Sequence, residues 1–376
     1  MEAMAPRVLL VPHRLHDPFG TGIHRYGVEL IRALAADDSA AEFDYAVASI
    51  DDPDVAVGPP VVHIAPPRRV LHAAWAAAQR PPIERFAGPT DLVHVLTPAV
   101  PVATSAPLVL TVHDLLPLRF PSWYPARQRW LFKRAIRQAK RDAAAIVVPS
   151  TAVAADVADG TDIEASRVTV VPEGVDPIFS RPVSEVDVAA VCARHRIRPG
   201  HFFLFVGAIS GRKNLVTALR ALAIVRKSGP DAHLVVAGPR WHDSNEFDAE
   251  ARRLGLQSAL RVTGFVSAAD LPVLFAAALA LVHPSKYEGF GLTPLEAMAA
   301  GTPVLAANTG ALPEVVGDAG MLLPPDDVDA WAEAMTRVND DDALRRAMVE
   351  RGRAWSERFT WGRAAAETAA VYRACL

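Results

Sequence analysis

The feature that most limits what this chain can fold into is a recurrence. Short, almost wholly apolar runs return along its length, separated by amphipathic stretches of helical period. In the first half the runs are RVLLVP (7–12), FDYAVA (43–48), VVHI (61–64), DLVHVL (91–96), PLVLTVHD (107–114), AAIVVPS (144–150) and VTVVPEG (168–174). Between them lie segments such as IHRYGVELIRALA (23–35). A strand that is apolar on both sides has no face for water, so it belongs in a parallel sheet covered by helices on both faces. After VPEGVDPIFSRPV the pattern restarts with HFFLFVG (201–207), AHLVVAG (232–238), LRVTGF (260–265), ALALVHPS (278–285), TPVLAAN (302–308) and GMLLPP (320–325). The pattern predicts two α/β domains, each a doubly wound, Rossmann-like sheet, joined by a Pro- and Gly-bearing linker around 172–200.

A length of 376 residues suits two domains better than one. The expected division is 1–176 and 177–360. In open α/β sheets ligands sit beyond the carboxyl ends of the strands. The residues to inspect are therefore those that follow each run, and two such domains facing one another would hold a ligand in a cleft. A faint internal echo, AAIVVPSTAVAADV against ALALVHPSKYEGF, places Pro-Ser where a strand should end in each half.

Composition removes several classes. The formal charge is −3 and 51% of residues are hydrophobic, which fits a globular protein and gives no sign of nucleic-acid binding. Cys192 and Cys375 form neither a disulfide framework nor a metal-ligand spacing, and a reducing cytoplasm is the expectation. The opening MEAMAPRVLLVPHRL lacks a long apolar leader, and no stretch reaches ~18 uninterrupted apolar residues. Neither secretion by such a leader nor a membrane-spanning helix is expected.

The densest signal is HPSKYEGFGLTPLEAMAAG (283–301). Gly289 and Gly291 permit positive φ and a close ligand approach. Thr293–Ala300 reads as a helix, with Pro294 in its first turn and Gly301 ending it. A glycine loop that opens a helix is an anion site, because backbone N–H groups and the helix dipole point at the ligand. Yet Glu288 stands just before the glycines and Glu296 in the first turns. Glu296 alone reads as a dipole-complementing acid and Glu288 alone as a loop acid, but neither reading accounts for the two together. Carboxylates accept paired hydrogen bonds from neighbouring hydroxyls. A ligand with a charged middle and polyhydroxylated ends, such as a nucleotide-diphospho-sugar, would satisfy the whole set.

FVGAISGRKNL (205–215) adds to this reading. Gly207 and Gly211 allow a tight strand-to-helix turn, and Arg212 and Lys213 then stand at a helix start, where the dipole disfavours cations. A phosphate would offset that repulsion; a solvated basic pair is the ordinary alternative.

Glu288, seven residues, then Glu296 resembles the paired-glutamate signature of retaining glycosyltransferases of family 4, which have the GT-B architecture of two Rossmann-like domains facing across a cleft. The resemblance covers nearly the whole chain. FGTGIHRYGVELIRAL is similar to the family's N-terminal glycine loop and helix, TVHDLLPLRFP to its histidine segment, VVPEGVD to its interdomain passage and VGAISGRKNL to its basic phosphate loop. The resemblance implies that Arg212 and Lys213 bind the donor diphosphate, that Glu296 takes the ribose hydroxyls and that Glu288, as a catalytic residue, contacts the transferred sugar. Gly207 and the Gly289, Phe290, Gly291 and Leu292 backbone complete the donor site. The first domain is then the acceptor domain, with His113 as a catalytic residue and Asp114 and His24 on the acceptor side. Residues 361–376 form a last helix that returns to that domain.

Gly20 and Gly22 of FGTGIH mimic a dinucleotide fingerprint, but Arg25 stands where its third glycine belongs. A nicotinamide dehydrogenase is thereby disfavoured, and the resemblance makes the loop a lid over donor phosphates. A strand-end histidine such as His113 is more often structural, and it is the resemblance that reverses this. His-Asp is not by itself a zinc site. Basic residues and helix ends take the place of a metal, and no cofactor is expected. The reading is a retaining, metal-independent hexosyltransferase leaning toward mannosyltransferase-like members. The acceptor is a hydroxyl of a glycan, lipid-linked saccharide or small molecule. Its rivals are a nucleotide-sugar epimerase of the same architecture and a non-catalytic sugar-nucleotide-binding subunit.

ARQRWLFKRAIRQAKRD (126–142) carries seven cations before its one acid, Asp142. Leu131, Phe132, Ala135, Ile136 and Ala139 fall on one helical face. A core-packed helix with a solvated cationic face is the ordinary reading. Contact with anionic lipid, placing the protein on the inner face of a membrane, is the alternative.

Overall fold

The computed structural model describes residues 5–13, 15, 21–50, 56–229, 231–241 and 244–376. The chain divides into two compact units. One is Met1–Gly174 together with Phe359–Leu376, and the other is Val175–Arg358.

The first unit is built on seven parallel strands: β1 (Arg7–Val11), β2 (Asp44–Ser49), β3 (Val61–His63), β4 (Leu92–Val95), β5 (Leu108–Thr111), β6 (Ala143–Val148) and β7 (Val168–Val170). Their order is β3-β2-β1-β4-β5-β6-β7, with Leu9 level with Ala46 on one side and Val93 on the other. Leu9, Val93, Ile146 and Val148 are fully buried, as continuous apolar strands require. The helices on the sheet include Gly22–Ala36 and the basic helix Ala126–Asp142, which buries Phe132, Ala135, Ile136 and Ala139. The terminal helix Trp361–Cys375 packs on Gly22–Ala36 and buries Trp361, Ala365, Ala369 and Tyr372.

The second unit has six parallel strands: β8 (Phe202–Val206), β9 (His233–Ala237), β10 (Leu260–Gly264), β11 (Ala280–His283), β12 (Val304–Ala307) and β13 (Met321–Leu323). Their order is β10-β9-β8-β11-β12-β13. Phe202, Phe203, Leu204 and Phe205 of β8 are all at most 1% exposed. Each such burial contributes on the order of 1.5–3 kcal/mol.

Every apolar run noted in the sequence holds a strand, most of them shorter than the run, with β2 and β6 each reaching one residue beyond it. The 172–200 segment differs from expectation. Instead of a plain linker it contains the helix Glu185–His195, capped where the Ser184 hydroxyl accepts the Asp187 N–H at 3.1 Å. The order of strands reverses between β1 and β4 and again between β8 and β11. The carboxyl ends flanking these reversals are where an open sheet offers a crevice.

Candidate functional site

In the second unit the loops after β8 and β11, the two strands that flank the reversal, meet. Beyond β8, residues Gly211–Lys213 form one tight turn, and Asn214, at φ 53°, starts the helix Leu215–Lys227. Beyond β11, Gly291 takes φ 126°, a value L side chains rarely adopt, and starts the helix Leu292–Ala300 one residue ahead of the expected Thr293. Gly301, at φ 80°, ends it.

These turns bring Arg212 and Lys213 onto Glu288. Arg212 donates to Glu288 Oε2 at 2.8 Å and to the Tyr287 carbonyl at 2.9 Å, and Lys213 Nζ donates to Glu288 Oε1 at 2.6 Å. The Lys213 and Glu288 side chains are each 13% exposed. His283, the last residue of β11, lies 3.2 Å from Glu288 Oε1 through its Nε2 and stacks on Phe205.

Burial works against an ionised Glu288, but Arg212 and Lys213 outweigh it and hold its carboxyl well below the usual range. Burial pulls Lys213 down to about 8, with Glu288 resisting and Arg212 adding to the fall. Burial also lowers His283, against the pull of Glu288, so the imidazole is neutral near pH 7. At this contact two cations share one carboxylate.

Glu296 sits in the second turn of Leu292–Ala300 and is 2% exposed. Phe290 is buried, while Gly207, Gly289, Gly291 and Leu292 are half-buried at the same strand ends.

In the first unit His113 follows β5 and is buried. Its Nε2 lies 2.9 Å from the Leu96 carbonyl, beyond β4, and its Nδ1 lies 3.4 Å from Glu173 Oε1. The Tyr26 ring meets it edge-on with centroids 4.6 Å apart. Burial alone would lower the His113 pKa; Glu173, the Leu96 carbonyl and Asp114 reverse this and raise it above the ordinary value. Behind it runs a buried polar chain. The Tyr26 hydroxyl pairs with Thr111 Oγ1 at 3.0 Å, Thr111 Oγ1 with His94 Nε2 at 2.8 Å, and His94 Nδ1 with the Tyr372 hydroxyl at 2.6 Å.

Asp114 accepts the Leu116 N–H at 3.0 Å, and His24 Nε2 lies 3.0 Å from the Leu15 carbonyl. Gly22 opens the first helix and is exposed, while Gly20 lies outside the described residues. The sequence reading missed Glu173 and His283. Each stood at or just past the end of a recognised apolar run, which is the same positional signal that had singled out His113. Among the described residues no three His, Cys, Asp or Glu side chains are grouped to hold a metal, and no helix is long and apolar enough to cross a membrane.

Comparison with known proteins covers both units. Residues 20–179 match Glycosyltransferase Family 4, and residues 194–355 match Glycosyl transferases group 1. The chain is similar to the D-inositol 3-phosphate glycosyltransferase of Salinispora arenicola, 30% identical over 95% of this chain and 89% of that one. It is 29% identical to O-antigen chain mannosyltransferase B of Escherichia coli over 70% of each. Among solved structures, sucrose-phosphate synthase from Thermosynechococcus elongatus superposes with a TM-score of 0.76 at 21% identity, covering 98% of both chains. Anabaena Alr3699/HepE, in complex with UDP and glucose, superposes with a TM-score of 0.72 at 21% identity, covering 98% of this chain and 99% of that one. These two superpositions speak for the fold.

Proposed function

The chain belongs to glycosyltransferase family 4, an enzyme family that moves a hexosyl unit from a nucleotide-diphospho-sugar, and from that premise we propose how its residues divide the work. Arg212 and Lys213 take the donor diphosphate, with the start of the helix Leu292–Ala300 beside them. Glu296 takes the ribose hydroxyls. Glu288 orients the transferred sugar. The observation that carries this reading is the uneven ion cluster, where two cations converge on one carboxylate at the carboxyl ends of β8 and β11. A diphosphate supplies further negative charge. The two side chains would do the neutralising work that a metal does in other phosphate sites.

Transfer with retained configuration fits the same cluster. A double displacement needs a carboxylate nucleophile on the far face of the sugar, about 5–5.5 Å from its partner acid. Glu288, held by Arg212 and Lys213, is a weak base and a poor nucleophile, and Glu296 is buried within its helix. The reading is therefore same-face substitution. The bond from the anomeric carbon to the phosphate oxygen breaks, and the diphosphate leaves with the electron pair. The acceptor oxygen bonds to that carbon, and its proton passes to the departing phosphate. His113 serves the sugar as a hydrogen-bond donor. The alternatives of an epimerase or a silent subunit are not favoured by these relatives.

The donor base and sugar are open to one screen, in which thermal stability is followed against a panel of nucleoside diphosphates and nucleotide sugars. A matching ligand at a hundredfold excess over its Kd should add about 2.7 kcal/mol. No stabilisation by any nucleoside diphosphate would overturn the donor site. The same UDP and glucose named for the Anabaena protein are the first members of the panel, with mannosyl donors next.

A second proposal concerns the basic helix. Trp130 is 49% exposed with the Arg134 guanidinium 5.1 Å from its ring centre, and Arg127, Lys133 and Arg137 are exposed beside it. Lys140 and Arg141 are engaged by Asp162 and Asp142. An exposed tryptophan among cations suits the surface of an anionic bilayer. Flotation with anionic vesicles at low salt, lost in Trp130→Ala or at high salt, is the expected outcome. No flotation would leave a solvated face.

A further inference from the structure

Glu173 reaches His113 from a distant part of the first unit. It lies in the loop after β7, whereas His113 follows β5, two places away in the sheet. Gly174 makes this approach feasible. A Cβ there would stand 2.3 Å from the Trp361 nitrogen, so any side chain would lift the loop off the start of the terminal helix. The result is a closed setting for the ring. Glu173 Oε1 faces Nδ1, the Leu96 carbonyl faces Nε2 and the Tyr26 edge covers one side, with the Glu173 side chain only 6% exposed.

We propose that Glu173 is a positioning residue for the transfer, holding His113 as an imidazolium with Nδ1–H toward Glu173 and Nε2–H on the Leu96 carbonyl. The proposal rests on the reading of His113 given above. A doubly protonated ring has no lone pair, so it cannot accept the acceptor's proton; its Nε2–H, already donated to the Leu96 carbonyl, reaches a sugar hydroxyl only as a three-centre bond. Glu173 also cancels its charge. An isolated imidazolium would repel the positive charge that grows on the sugar ring, whereas the His113–Glu173 pair is neutral as a whole.

The other groups that face the ring agree with this assignment. Asp114, next in the chain, favours the charged imidazole together with Glu173. His94 on β4 is pushed down to about 3, chiefly by burial and further by His113, and so brings no second positive charge. Burial raises Tyr26 and keeps it a neutral phenol.

The test is histidine NMR on the intact, 13C-histidine-labelled protein, with the His113 signal identified by its loss in His113→Gln. In the native protein His113 should titrate above the ordinary histidine midpoint. In Glu173→Gln the midpoint should fall by about one pH unit or more. The alkaline limb of kcat should move down with it while donor KM stays unchanged, and Glu173→Asp should recover part of the shift. A native midpoint at or below the ordinary value overturns the proposal, and that measurement needs no variant to fold. An unshifted titration in Glu173→Gln, or a shifted titration with an unmoved kcat profile, also overturns it. Full turnover in His113→Ala would instead remove the reading of His113 itself, whatever Glu173 does to its titration.

Discussion

Both units place a largely covered carboxylate against a basic side chain beyond the ends of parallel strands, but the stoichiometry differs. In the first unit Glu173 meets one imidazole, and the pair is complete. In the second, Glu288 meets both Arg212 and Lys213, two cations to one carboxylate. A balanced pair fixes the state of one side chain. Two cations converging on one carboxylate favour an anion, since a cation in partial burial gains most from a further negative partner. On the reading proposed above, the first unit controls a donor hydrogen and the second captures phosphate.

The largest effect should come from removing one of the two cations. Lys213→Ala or Arg212→Ala should weaken nucleoside diphosphate binding roughly 10–100-fold, the worth of a charge-assisted bond. Turnover should fall by a further ~100-fold or more, because the leaving group gains charge as the bond breaks. Calorimetry and steady-state kinetics read the two separately. Unchanged nucleoside diphosphate affinity in both variants would break the comparison.

His113→Ala should show the opposite split. Turnover should drop on the order of 100-fold, while donor affinity holds, because Leu96 and Glu173, the histidine's partners among the described residues, lie in the first unit. Loss of nucleoside diphosphate binding in this variant would mean that the two units do not divide the work.

The two glutamates sharpen the second unit. Glu296→Ala should weaken nucleoside diphosphate about tenfold or more, since the ribose is present in it. Glu288→Gln should spare nucleoside diphosphate and damage transfer, because the variant leaves both cations in place and more exposed in charge. Equal losses for the two variants, measured by calorimetry, would contradict their roles.

The smallest effect is in pH. Lys213 titrates at about 8 in the ligand-free protein, and a diphosphate prefers its charged form. Affinity should therefore be full below about pH 7 and fall by up to about tenfold by pH 9, with proton uptake on binding at pH 8. Titrations in buffers of different ionisation enthalpy would detect that uptake. A flat affinity from pH 7 to 9 would show that Lys213 is not the anion's partner.

The strands of this fold were legible because a buried parallel strand writes itself as an unbroken apolar run. The loop proposed to hold the donor could be singled out for a similar reason. Gly289, Gly291, Glu288 and Glu296 are neighbours in sequence, so spacing alone exposes their geometry. What the sequence hid was pairing across distance. Nothing in VVPEGVD says that Glu173 will face His113, because that contact depends on β5, β6 and β7 lying side by side. His283 was hidden for the same reason, as its meaning comes from Glu288, Phe205 and the cations around it. The helix Glu185–His195 was obscured by the prolines and glycines on either side, though Ser184 and Asp187 supplied its cap.

The terminal helix has a consequence for how the chain is made. Residues 175–358 are contiguous and can collapse as soon as they leave the ribosome. The first unit, although synthesised earlier, lacks Trp361, Tyr372 and the helix that carries them until residues 359–376 emerge. Until then the apolar side of Gly22–Ala36 is uncovered, and His94 has no tyrosine hydroxyl to meet. The half of the protein that is translated first therefore cannot complete its packing until the last residues have emerged.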